Sequence, residues 1–469
     1  MNAHASPAAH LPRFGRTERI EIRQNFAQET MDDLREAYLA DARPWVVGFS
    51  GGKDSTALAS FVFHMLGRLP RDRRLKPVFV LASDTRVETP TISHRIVREL
   101  SFMAAAAERD GLPVTTHLVF PKLNDTFWVN LIGRGYPSPN SQFRWCTDRL
   151  KIYPVSAFIR SVVDRSGAVV VVLGSRRGES DTRSRAMDAR AIEGQRFRPH
   201  SELPKAWVYT PLEGLSANEV WTYLLQVPSP WSGDNLELIT LYKRAAGGEC
   251  PLVIDMTTPS CGQSRFGCWT CTVIEKDRSM ESLVEMGEEH LTPLLDLRDY
   301  IAEVRNKPGA RYDYRRNGKK AINRHTGEAM TNTGPFTHET RMDILRRLLQ
   351  AQKQSSLPLI EGDELAIIQE IWSREENDHP DKSGIASDAV SQIWLQIYGG
   401  TEMTEKQDTQ SIEETLLRKT CEEQGIPFEM MRDLTDIEER FGHLKRRHGL
   451  PDEMRDIVRQ ALKKLGEEA

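Results

Sequence analysis

The chain has 469 residues, 39% of them hydrophobic and 28% charged, with a formal net charge of −4. That length is too great for one ordinary core, so two or three domains are expected, and the composition suits a soluble globular protein. A nucleic-acid partner cannot be read from the total charge and needs a local basic patch. The opening stretch MNAHASPAAHLPRFGR has no apolar core of signal-peptide length, and no run reaches membrane-spanning length. A cytoplasmic protein with no membrane partner is therefore expected.

Residues 1–42 read as a polar arm followed by a helix over Met31–Ala40. Strands are expected at Trp45–Phe49, Pro77–Leu81, Val114–Phe120 and Ala168–Leu173, with helical patterns at Thr56–Leu66 and Pro90–Arg109 between them. The last strand is apolar throughout, as suits burial on both faces. Alternation of strand and helix predicts an α/β fold with a parallel sheet over 43–245. Ligands in such sheets sit beyond the carboxyl ends of the strands. Residues 205–245 read as helical, 246–335 as a cysteine segment with a basic region, and 336–469 as a mostly helical C-terminal part.

The first strand runs into Ser50-Gly51-Gly52-Lys53-Asp54-Ser55 and then a helix. A glycine-rich turn there places backbone N–H groups around an anion, and the helix dipole adds to their pull. It is not a Walker A loop, because Lys53 is followed by Asp54 and Gly48 stands one residue too close to Gly52. Ser83–Thr89 (SDTRVET) follows the second strand, and Gly174–Ser180 (GSRRGES) follows the fourth. Both lie on the expected ligand side, and Arg176 and Arg177 carry guanidinium forks that suit phosphate.

Six cysteines stand at 146, 250, 261, 268, 271 and 421, four of them within 22 residues. In a reducing compartment such crowding points to metal or sulfur chemistry rather than disulfides. Cys268-Trp-Thr-Cys271 is a C-x-x-C, with Cys261 seven residues before it. Thiolates at these spacings chelate zinc or an iron–sulfur cluster. Cys421, alone in a charged helical stretch, is expected to be structural. Residues 307–325 contain Lys307, Arg311, Arg315, Arg316, Lys319, Lys320 and Arg324 against Asp313, with Tyr312 and Tyr314 interleaved. That combination is a candidate nucleic-acid surface, the tyrosines stacking on bases.

Ser50–Ser55 resembles the SGGxDS loop of the PP-loop ATP pyrophosphatase superfamily, which includes sulfonucleotide reductases, tRNA thiolases and DNA phosphorothioation proteins. SDTRVET and GSRRGES resemble motifs of its reductase branch. Phe143–Lys151 (FRWCTDRLK) is similar to that branch's R-x-C-C-x-x-x-K segment, with Thr147 in place of the second cysteine. The cysteine string from Cys250 to Cys271 looks most like the DNA phosphorothioation branch. The resemblance covers roughly residues 43–274.

It implies a PP-loop sheet and ATP cleaved to AMP and pyrophosphate. It places ATP at Ser50, Gly51, Gly52, Lys53, Asp54, Ser55, Asp84, Gly174, Arg176 and Glu179, with Lys53, Asp54 and Arg176 catalytic and Mg²⁺ held by Asp54. It implies a [4Fe–4S] cluster on Cys146, Cys261, Cys268 and Cys271, Cys250 being the alternative ligand or a sulfur carrier. DNA would be the substrate, bound through Arg311, Arg315, Arg316, Lys319 and Lys320. A cysteine desulfurase and other DNA phosphorothioation (Dnd) proteins would be partners. A tRNA thiolase, a sulfonucleotide (PAPS) reductase and a non-catalytic nucleotide-sensing subunit are the alternatives. The reductase is disfavoured by the lack of a late E-C-G tail.

Overall fold

The computed structural model describes residues 23–177, 195–245, 267–285, 287–315, 319–322, 326–378 and 388–399, with isolated positions beyond 420. The four apolar runs are strands: β1 (Trp45–Gly48), β2 (Val78–Ser83), β3 (Val114–Val119) and β4 (Val169–Val172). Two more follow, β5 (Arg198–Pro199) and β6 (Ala206–Tyr209), and the sheet order is β3-β2-β1-β4-β6-β5. All neighbours are parallel except β5 against β6. The expected parallel α/β sheet is therefore present.

β6 corrects the helical reading of residues 205–245. Its four residues, Ala-Trp-Val-Tyr, are too short to show a period, and they become a strand by pairing with β4, Val169 opposite Ala206 and Val172 opposite Tyr209. The helical expectation holds beyond it, at α5 (Ala217–Gln226) and α6 (Asn235–Ala245). Helix α5 starts at a capping box in which Ser216 and Glu219 exchange side-chain and backbone hydrogen bonds.

Alternation along the central strands feeds two cores. Trp45, Val47, Val170 and Val172 face one, packed by α1 (Phe26–Leu39), α2 (Lys53–Arg68), α3 (Pro90–Asp110), α5 and α6. Val46, Val169 and Val171 face the other, where α4 (Tyr153–Ser166) presents Val155, Ile159 and Val162. Each such valine contributes about 1.5–3 kcal/mol by leaving water. Helix α2 is buried almost all round, which fixes the turn at its start. Phe61 stacks on Tyr223 with centroids 3.8 Å apart, and Ser60 meets the Tyr223 hydroxyl at 3.1 Å.

Beyond α7 (Arg278–Glu285) and α8 (Thr292–Val304) come α9 (His338–Ser355), α10 (Gly362–Asp378) and α11 (Ala389–Tyr398). Helices α9 and α10 dock on a π-helical segment at Val129–Gly133 through buried polar ties. Trp128 Nε1 donates to the Leu359 carbonyl at 2.7 Å, Trp372 Nε1 to Ile132 at 3.1 Å and Arg341 Nη1 to Gly133 at 2.6 Å. The chain divides into two compact units, Met1–Thr401 and Glu402–Ala469. In the second unit Cys421 is buried. No helix among the described residues is long and apolar enough to cross a membrane.

Candidate active site

From β1 the chain runs towards β2 and β3, then returns to β4 on the other side of β1. The turns leaving β1 and β4 therefore diverge, and the crevice between them is where a doubly wound sheet binds its ligand. The turn after β1 is tightly specified. Gly51 has a φ of +74°, and an added Cβ would stand 3.0 Å from Ile96 Cγ1. The Ser50 N–H donates to Ser55 Oγ at 3.2 Å, and the Ser55 hydroxyl donates to the Gly52 carbonyl at 3.0 Å. Gly52 is the N-cap of α2 and supplies no side chain to cap it. The Lys53 N–H donates to the Tyr242 phenol of α6 at 3.1 Å, and the Lys53 ammonium lies 5.6 Å from that ring's centroid.

Three charges converge there. Lys53 Nζ is 2.7 Å from Asp54 Oδ2, and Arg176 donates through Nε to Asp54 Oδ1. Asp54 is only 3% exposed and Arg176 4%. The carboxylate expected to hold Mg²⁺ is thus shared between the two cations and orders both. Gly174 permits this closeness, since a Cβ there would stand 2.8 Å from the Asp54 carbonyl oxygen. Arg177 turns elsewhere: its Nε donates to Glu213 Oε1 at 2.7 Å, so only Arg176 of the arginine pair joins the crevice. Burial works to raise the Glu213 pKa. A hydrogen bond from Thr210 and the Arg198 and Arg177 guanidiniums outweigh it and hold the carboxyl below its usual range. Glu179 lies outside the described residues.

The turn after β2 holds Asp84, whose carboxylate accepts the Arg86 N–H at 2.7 Å and the Ser93 hydroxyl at 2.7 Å. It ties this loop to the start of α3. Arg86 sits in the left-handed region at φ +62° and pairs with Glu361 at 2.5 Å. The C-x-x-C segment is stitched to the same loop. Trp269 N–H donates to Val87 at 3.0 Å and Thr89 N–H to Gly267 at 3.1 Å. Cys268 Sγ lies 3.3 Å from Thr85 Oγ1 and 3.8 Å from Glu88 Oε1, and Lys151 reaches the same Glu88 oxygen at 3.4 Å. Two cysteine-bearing stretches more than a hundred residues apart in sequence, FRWCTDRLK and GCWTC, thus meet at one loop.

Cys271 N–H donates to the Cys268 carbonyl at 3.1 Å, closing the C-x-x-C turn. Among the described residues no group of three His, Cys, Asp or Glu is arranged to hold a metal ion. Cys250 and Cys261 lie outside the described residues, so the expected four-thiolate set is not seen together.

The basic stretch divides. Arg311 is drawn inward, its Nε donating to the Gly334 carbonyl at 2.7 Å, and burial with nearby Arg305 lowers its pKa. Arg315, Lys319 and Lys320 are exposed, and Arg316 is outside the described residues. Tyr312 and Tyr314 stack on each other at 6.3 Å with planes 8° apart. Sequence reasoning missed Tyr242, Thr85 and Glu88 as partners of the site. Glu88 stood in the SDTRVET string, whereas nothing local announces Tyr242, 189 residues from Lys53.

No family model matches the chain. It is 22% identical over 251 residues to an uncharacterized protein of Methanocaldococcus jannaschii, covering 54% of this chain. The chain spans 41% of that relative's length. Two solved structures are similar at low level. One is phosphoadenylyl-sulfate (PAPS) reductase from Candida auris in a phosphate complex, at 14% identity, TM-score 0.28, covering 47% of this chain and 93% of that one. The other is the U34-tRNA thiolase NcsA from Methanococcus maripaludis with its [4Fe-4S] cluster, at 11% identity, TM-score 0.29, covering 60% and 78%. At these scores neither adds to what the strand order itself establishes.

Proposed function

We propose that the chain is a PP-loop enzyme that cleaves ATP to AMP and pyrophosphate so that a DNA backbone oxygen can be exchanged for sulfur, as in the DNA phosphorothioation protein DndC. The observation that carries this reading is the buried Asp54 carboxylate holding Lys53 and Arg176 together at the glycine turn. A non-bridging phosphodiester oxygen attacks the α-phosphorus of ATP, the bond to the β-phosphate breaks, and pyrophosphate leaves. A sulfide-level nucleophile then attacks the DNA phosphorus and AMP departs, with no net change in oxidation state.

Both partners of the first step are anions, so the site must supply positive charge rather than a strong base. Lys53, Asp54 and Arg176 sum to one positive charge, to which the turn's amides and a bound Mg²⁺ add. Ser50, Gly51, Gly52 and Ser55 shape the phosphate cradle, Gly174 extends it from β4, and Glu179 is assigned to the nucleotide by the motif alone. Asp84 supports it through the loop after β2.

In the same reading Cys146, Cys268 and Cys271, with Cys261 or Cys250, hold a [4Fe–4S] cluster. The sulfur comes from a cysteine desulfurase as a persulfide, a thiol reductant supplies the two electrons that bring it to the sulfide level before the attack, and other Dnd proteins act on the same DNA. Arg315, Lys319 and Lys320 supply exposed charge for the backbone.

The test is product analysis with ATP, Mg²⁺, sulfide and DNA. AMP, pyrophosphate and sulfur-bearing dinucleotides from digested DNA are expected. Lys53→Ala is expected to lower pyrophosphate release about 10²–10³-fold, the usual cost of one charge-stabilising donor. Sulfur appearing in RNA instead would transfer the reading to a tRNA thiolase, and no turnover at all would leave a nucleotide sensor. Anaerobically purified protein should be brown and Cys268→Ser bleached. A colourless protein carrying one zinc would remove the cluster from the proposal.

A further inference from the structure

The first amide of α2 already has an acceptor. The Lys53 N–H donates to the Tyr242 hydroxyl at 3.1 Å, and the same ring lies over the Lys53 ammonium, 5.6 Å from nitrogen to centroid. A phosphate oxygen bound at the opening of α2 needs that amide and that ammonium. The phenol therefore stands on two of the groups an anion would use.

Tyr242 is presented by a helix that is held down. Leu238 and Leu241 of α6 are buried, and Glu237 is paired with Arg95 at 3.5 Å and with Arg98. The Asn235 amide at the helix start donates to Leu224 at 2.8 Å. The Tyr242 ring itself is only partly buried and meets Trp221 edge to face at 5.0 Å. The helix is thus fixed, and Tyr242 reaches the α2 opening through a side chain that turns about two bonds.

We propose that Tyr242 is an internal competitor for the anion site: its phenol occupies the Lys53 amide in the resting protein, and entry of a pyrophosphate group swings it away. This rests on the reading of the glycine turn as a phosphate cradle. The ring covers the cradle until a ligand arrives, so the Lys53–Tyr242 hydrogen bond must be exchanged before the nucleotide tail is gripped.

The experiment titrates inorganic pyrophosphate with Mg²⁺ into the full chain by calorimetry, beside Tyr242→Phe and Lys53→Ala. Tyr242→Phe keeps the ring and removes the competing oxygen. It should bind pyrophosphate about three- to tenfold more tightly, the equivalent of one net hydrogen bond. The parent should also show a change in tryptophan emission on saturation that Trp221→Phe abolishes, because Tyr242 leaves Trp221. Unchanged or weaker binding by Tyr242→Phe overturns the gate while parental binding keeps the cradle. A parent that binds with no Trp221 signal overturns it equally. If the parent does not bind pyrophosphate and Lys53→Ala behaves identically, the cradle reading falls and the gate falls with it.

Discussion

The turns that leave β1 and β2 lie side by side at one edge of the sheet, yet they are built on opposite lines. After β1 the charged groups are matched: Asp54 serves Lys53 and Arg176, and the Ser50 and Ser55 hydroxyls meet at 3.1 Å. The buried side-chain atom left over there is a neutral hydroxyl, Thr56 Oγ1. Around the turn after β2, charged side chains keep buried atoms without a hydrogen-bond partner among the described residues: Arg86 Nε, Glu88 Oε2 and, on α10, Glu364 Oε1. Each such atom costs about 1–3 kcal/mol. The difference teaches that the side-chain charges of the first turn are matched in the protein alone, the preorganisation that the proposed anion site requires. The second turn stores cost, and its Thr85 and Glu88 meet Cys268 of the cysteine segment as well as each other.

Asp54→Asn should break the comparison most strongly. It removes the charge between two cations whose side chains are 12% and 5% exposed. Breaking a buried pair on one side costs about 3–5 kcal/mol, read as the loss in a urea unfolding curve. Added pyrophosphate should then raise the melting temperature of Asp54→Asn more than that of the parent, because the anion replaces the missing charge. Equal stability of the two chains would mean that Asp54 does not organise the site. Gly174→Ala comes next. Its Cβ would stand 2.8 Å from backbone of α2, so β4 or the helix must yield, at about 1–3 kcal/mol. ATP cleavage should fall with it, and a fully active, equally stable Gly174→Ala would show that the close approach is dispensable.

How far the sequence reveals this depends on the range of the interaction. The strand, glycine turn and helix at Trp45–Leu66 are local, and the strands and the Ser50–Ser55 turn were legible from such patterns. The position of Arg176 beyond the end of β4 was legible because it closely follows that strand. What Asp54 does was not, because its second partner comes from 122 residues away. Arg177 looked equivalent to Arg176 and differs only because Glu213 approaches it in space. The pairing of Cys268 with Glu88, and the inward pull on Arg311 by the Gly334 carbonyl, are likewise set by tertiary approach. Strand β6 was hidden by its length, since four residues carry no period that outweighs the helices after it.

The smallest effect is expected where the second turn meets α10, and it has the opposite sign. Glu364 is buried, and burial raises its carboxyl pKa, although Thr126, the Glu361 N–H and Arg86 all act to lower it. A raised carboxyl binds protons more readily in the folded than in the unfolded chain, so folding loses stability as pH rises from the ordinary glutamate range through the folded value. Glu364→Gln removes that charge while its amide oxygen can still accept the Glu361 N–H, a contact now made at 3.1 Å. The variant should be more stable than the parent by about 1 kcal/mol at pH 8, with the gain shrinking towards pH 5. Urea unfolding at the two pH values decides it. A parent more stable than Glu364→Gln at pH 8, or a difference that ignores pH, would show that this carboxylate is compensated after all, and the contrast between the two turns would then rest on Arg86 and Glu88 alone.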